Sequence, residues 1–175
     1  MAGKTPKQAV ENFLAPIRQA VSCITHSFVI SGFDPDSGRP HVLTINNGDP
    51  VKLISTPSFY LTVQMQYRVV EAKGERGPWK VTTAGYNYSV QDRLEKELFA
   101  YHWHPWMQPT YPHLHVCPTS GVNILRKIHL PTARISIEDV LRLLIAQFKV
   151  KPIRHDWERV LTRSKGVYEK FRTWS

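Results

Sequence analysis

From Phe59 to Val70 the chain alternates polar and apolar residues. Tyr60, Thr62, Gln64, Gln66 and Arg68 form one set, and Leu61, Val63, Met65, Tyr67 and Val69 the other. A period of two sends the two sets to opposite faces of a pleated strand, so the segment is predicted as a half-buried antiparallel strand. Gly74-Glu75-Arg76-Gly77-Pro78 turns it, and Trp79 to Gln91 runs back with Val81, Tyr86, Tyr88 and Val90. A second turn, Asp92 to Lys96, leads into Glu97 to His104. There Leu98, Ala100, His102 and His104 are expected on one face, and Phe99, Tyr101 and Trp103 on the other. Shorter strands are expected over Ser27 to Ser31, His41 to Ile45, His113 to Cys117 and Ile124 to His129, an antiparallel meander of about five or more strands.

The two ends carry a different period. Residues 6–22 open with Pro6 at the first helical position, and Val10, Phe13, Leu14, Ile17 and Val21 recur every three to four residues, the mark of an amphipathic helix. Pro16 is expected to kink it or to begin a second turn. Ser136 with Asp139 three residues on approaches the capping-box pattern. Val140, Leu141, Leu144, Ile145 and Phe148 then form the stripe of a helix from Ile137 to about Val150, which Lys151-Pro152 stops. A last, basic helix is predicted from Asp156 to about Trp174. The fold class is α+β, an antiparallel sheet with an N-terminal helix and two C-terminal helices packed on one side. The expected organisation is a single domain over residues 1–175, with a helix at 6–22, mainly sheet at 27–130 and a basic helical part at 136–174.

The formal net charge is +9, and it is unevenly spread: from Gly121 to Ser175 twelve Lys/Arg stand against five Asp/Glu. Such asymmetry suits a polyanion, RNA above all, or an acidic protein partner. Cys23 and Cys117 lie in apolar settings without a C-x-x-C spacing and read as reduced thiols of a cytoplasmic protein; Cys117, two residues beyond His115, is the better candidate for a reactive or ligating role. No uncharged apolar run approaches the roughly 20 residues of a membrane span, and the first residues lack an apolar leader, so no membrane partner is expected.

Four of the eight histidines fall between residues 102 and 115, as two His-x-His pairs, His102/His104 and His113/His115, joined by a connector rich in proline and aromatics. On strands, each pair shares a face, and a turn brings the faces together. Three chemical readings follow. In the leading one, His102, His104, His113 and His115 act as metal-free general acids and bases on RNA, with Arg126, Lys127 and Arg134 holding phosphate and Tyr101, Trp103 and Tyr111 orienting substrate. In the second, the same four imidazoles hold one transition-metal ion (Zn, Ni or Mn) in a hydrolase; no Asp or Glu lies between Glu97 and Glu138, so a hydrolytic base has to come from elsewhere. In the third, the segment binds nucleic acid or protein without chemistry. A purely structural histidine face stands beside all three. His129 is a candidate fifth member.

The run Tyr86-x-Tyr88-Ser89-x-x-Asp92, then Glu97-Leu98-Phe99-x-Tyr101, Pro109-Thr110-Tyr111-Pro112-His113-x-His115 and Ser136-x-Glu138-Asp139-Val140-Leu141 resembles the TumE-type toxins of prokaryotic toxin–antitoxin pairs, over about residues 79–145. The chain departs from that layout in having His-x-His where adjacent histidines are more usual, in His102-Trp103-His104, and in its extra terminal helices. The resemblance implies a cytoplasmic bacterial toxin held by an antitoxin and acting on RNA or translation, here a toxin-like endoribonuclease.

Overall fold

The computed structural model describes residues 2–34, 38–72, 77–117 and 128–171. Among the described residues nine strands form one sheet: β1 (Ala2–Gly3), β2 (Val29–Ser31), β3 (His41–Ile45), β4 (Val51–Lys52), β5 (Tyr60–Glu71), β6 (Trp79–Gln91), β7 (Glu97–Trp103), β8 (His113–Val116) and β9 (Leu130–Pro131). The main order is β2-β3-β5-β6-β7-β8-β9, with β1 added to β6 and β4 to β5, and every pairing is antiparallel. β1 and β4, two residues each, were not expected; so short a pair carries no period. Of the strand expected over Ile124 to His129, residues 124–127 lie outside the described residues.

The alternation in β5 is obeyed: Leu61, Val63, Met65 and Tyr67 are buried. They join Val81, Tyr86, Tyr88 and Val90 of β6 and Phe99 and Trp103 of β7 in one apolar cluster. Three helices close over it: α1 (Pro6–Val21), α2 (Ile137–Ala146) and α3 (Trp157–Phe171). Thr5 caps α1 by accepting from Gln8 N at 3.1 Å. The helix continues through Pro16 as one element, and the Pro16 carbonyl accepts from Ser164 Oγ of α3 at 2.9 Å. Phe13, Leu14 and Ile17 face the sheet side of the cluster, where Phe13 meets Tyr67 at 5.3 Å between ring centroids.

Ser136 and Asp139 form the full capping box of α2, each side chain meeting the other's backbone N–H. The helix ends at Ala146, four residues short of the expected Val150. Lys149 adopts left-handed backbone (φ 57°) and Val150 N donates to Leu144 O at 3.1 Å. That turn brings Phe148 against Phe59 and Phe99, at 5.6 and 5.1 Å between centroids, so aromatic packing overrides the helical period. Among the described residues all three helices pack on the apolar face. No helix among the described residues is long and apolar enough to cross a membrane.

Candidate metal centre

β7 and β8 pair with Ala100 opposite His115 and His102 opposite His113. Cross-strand partners share a face, as do residues i and i+2. The register therefore gathers both His-x-His pairs on the helix-free face. His102 lies 5.7 Å from His104, 5.6 Å from His113 and 4.8 Å from His115 between ring centroids. His104 is 5.4 Å from His113, and His113 is 5.1 Å from His115. His129, just before β9, completes the group at 4.8 Å from His113 and 4.4 Å from His115.

His113 is the centre of this group and is 0 % exposed. Its Nδ1 lies 2.9 Å from the Tyr111 carbonyl oxygen. A carbonyl can only accept, so Nδ1 carries the proton and Nε2 keeps a bare lone pair. That Nε2 is buried with no partner among the described residues, and the same holds for Nε2 of His102. Burial, with the neighbouring imidazoles adding to it, pushes the His102 pKa down to about 4. His113 and His115 are also lowered, first by burial; the Tyr111 hydrogen bond opposes the shift at His113, and Glu97 opposes it at His115. Burial thus disfavours the charged form of all three rings.

A β-bulge adds a carboxylate. The β6–β7 register moves from Val90 opposite Phe99 to Gln91 opposite Glu97, leaving Leu98 as the extra residue. Leu98 packs against the core instead of standing beside Ala100 and His102 as its parity predicted. Glu97 swings to the polar face, where it accepts from Ser89 Oγ at 2.7 Å and from Cys117 Sγ at 3.7 Å. The parity rule hides this residue, because a one-residue bulge inverts every face assignment beyond it. Asn87, opposite His102, and Gln91 lie on the same face, each with a buried side-chain oxygen that no described group hydrogen-bonds.

The remaining site residues expected from the sequence divide. Tyr111 stands at the cluster, 6.0 Å from His113 between centroids and 44 % exposed. Tyr101 and Trp103 point to the helix side. Tyr101 lies against Phe99, and burial, with Asp139 of α2 adding to it, raises its pKa. Trp103 is buried beneath Arg134, whose guanidinium carbon sits 3.7 Å above its ring. Tyr101, Trp103 and Arg134 therefore do not join the histidines, a consequence of the same alternation that unites the histidines. Arg126 and Lys127 lie outside the described residues. Trp106, which the sequence offers as a stacking surface beside Trp103 and Tyr111, is 53 % exposed and covers Gly85, two positions along β6 from Asn87.

One ring nitrogen from each of His102, His113 and His115 can be chosen so that all three lie within 4.8 Å of one another, a set able to hold a metal ion. Nitrogens bound tetrahedrally at 2.0–2.1 Å sit roughly 3.4 Å apart, so the rings need to draw in by about an ångström. The chemistry of the donors fits: neutral imidazoles, one of them fixed in tautomer by a backbone carbonyl, which is the outer contact that metal-binding histidines use. Compared with protein-family models, curated proteins and solved structures, the chain matches none of them.

Proposed function

We propose that the histidine face holds one divalent transition-metal ion (Zn, Ni or Mn) and that the protein is a metal-dependent hydrolase of RNA. The observation that carries this reading is the pair of buried, partnerless Nε2 atoms of His102 and His113, with the His113 Nε2 lone pair fixed by the Nδ1–H bond to Tyr111. A buried lone pair facing other lone pairs is costly unless a cation satisfies it. Bound there, a divalent ion supplies the charge that acidifies water and polarises a phosphoryl oxygen. Glu97, with Ser89 and Cys117 orienting it, is the proton acceptor on that face.

The metal-free alternative is less well supported. A general acid must carry a proton near working pH, and the lowered values of His102, His113 and His115 oppose that. The substrate class rests on charge: a chain of net +9 suits a phosphate-linked polyanion. A groove of about 610 Å³, lined by Arg68, Arg134, Trp106 and Thr132, also runs beside Pro105 and Pro112 of the connector that carries His104 and His113. The expected setting remains a cytoplasmic toxin with an antitoxin or other acidic protein partner. Elemental analysis of purified protein, together with RNA cleavage before and after chelation, tests the proposal. One bound metal per chain and chelator-sensitive cleavage support it. Metal-free protein whose cleavage resists chelators but needs His113 would restore acid–base catalysis instead.

A further inference from the structure

On the other side of the sheet, between β5, β6 and the helices, lies a partly enclosed cavity of about 60 Å³ for the centres of water-sized molecules. One water needs about 10–15 Å³ on that measure, so the space holds about four waters or one small ring. Phe13, Ile17, Met65, Tyr86 and Ile137 supply apolar walls. Three polar side chains also reach it: Tyr88, Glu138 and Ser164.

Ser164 Oγ has one proton and two oxygen neighbours. The Pro16 carbonyl, at 2.9 Å, can only accept. The other neighbour is Glu138 Oε1, at a very short contact. Ser164 Oγ therefore bridges the Pro16 carbonyl and the Glu138 carboxyl. Glu138 is 3 % exposed, and burial raises its pKa. Tyr88 is 1 % exposed, and its hydroxyl makes no hydrogen bond to a described residue. Glu138, Tyr86 and Tyr168 all lie close enough to act on Tyr88 electrostatically. An apolar chamber thus ends in one buried acid whose ionisation burial disfavours and one phenol hydroxyl in want of a partner.

We propose that this cavity is a binding site for a small, uncharged aromatic molecule bearing one hydroxyl, a phenol-type ligand. The ring fills the space between Phe13, Ile17 and Met65, and the ligand hydroxyl bonds to Tyr88. The burial that raises the Glu138 pKa equally opposes a ligand carboxylate or ammonium. A molecule lacking the hydroxyl leaves Tyr88 unpartnered, so polarity is selected as well as size. Thr82, Thr83 and Arg134 line both this cavity and the outer groove, which gives a route of entry. The site is independent of the histidine face, from which the sheet separates it.

Ligand-observed NMR titration of the full chain with phenol, toluene and benzoate tests the proposal. Phenol is expected to saturate one site with Kd of about 1 mM or tighter. Toluene and benzoate should bind at least about 5-fold more weakly. Tyr88→Phe should weaken phenol about 5-fold and leave toluene unchanged. Ile17→Trp, which fills the chamber, should abolish phenol binding; if that variant does not fold, the Tyr88→Phe result decides. Phenol binding that fails to saturate, as for a chamber holding only water, or that is equal in wild type and Tyr88→Phe, would overturn the proposal.

Discussion

His102 and His113 stand opposite one another on neighbouring antiparallel strands, ring centroids 5.6 Å apart and planes at 84°, and each turns a buried, partnerless Nε2 toward the other histidines. If that pair forms the base of a metal site, either alanine substitution removes a donor. His102→Ala and His113→Ala are expected to weaken Zn binding at least about 100-fold, more than loss of an outer contact costs. His104, outside the group of three, should matter less when replaced. Competition with a chromophoric chelator measures this, and a wild-type affinity in His113→Ala would remove the metal reading.

The same burial predicts acid sensitivity of the metal-free protein. The His102 pKa falls from the ordinary imidazole value of 6.5 to about 4, while the unfolded chain takes up its proton near 6.5. The unfolded state binds more protons between those values. The stability contributed by this residue is therefore complete above pH 6.5 and is lost as pH falls toward 4. Thermal unfolding from pH 7 to 4 should show wild type losing more stability than His102→Gln. Parallel pH profiles for the two proteins would contradict it.

Gly85 is a further point of test. A Cβ there would meet the Trp103 carbonyl oxygen and Trp106 Cη2, each at 2.7 Å. A glycine inside a strand marks such close approach. Gly85→Ala should displace the Trp106 ring and cost about 1–3 kcal/mol. Tryptophan emission and the melting temperature report the two effects. An unchanged spectrum and melting temperature would show that the ring does not rest there.

Much of this arrangement is legible in the chain because it follows from parity. The i, i+2 spacing of His102/His104 and His113/His115 places them on a polar face, and the alternation of β5 and the stripe of α2 place the core. The same parity sends Trp103 and Tyr101 to the helix side, away from the role proposed for them as substrate contacts. Glu97 was hidden because its position depends on a bulge at Leu98, set by the β6–β7 register and not by any local pattern. The end of α2 was hidden because packing of Phe148 on Phe59 and Phe99 outweighs the helical period. His129 reaches the cluster through the pairing of β8 with β9, a long-range contact whose partner strand is only two residues long.

Glu138 offers the last test, because its protonation state fixes the sign of its pH dependence. Burial raises its folded pKa above the ordinary carboxyl value of 4.5. Its contribution to stability is then complete below 4.5 and is lost as pH rises through the folded value, where the buried acid is forced to ionise or the chain to open. Glu138→Gln keeps the shape and a donor but cannot ionise. Near pH 5 it should cost less than about 1 kcal/mol, and by pH 8 it should equal or exceed wild type in stability. Ser164→Ala, which leaves the acid without its acceptor, should cost about 1–3 kcal/mol at pH 5. Denaturant titrations at the two pH values separate the cases. If Glu138 were an ionised acceptor of the Ser164 hydroxyl, Glu138→Gln would be most damaging at pH 8, and the neutral-acid account of this cavity would fail.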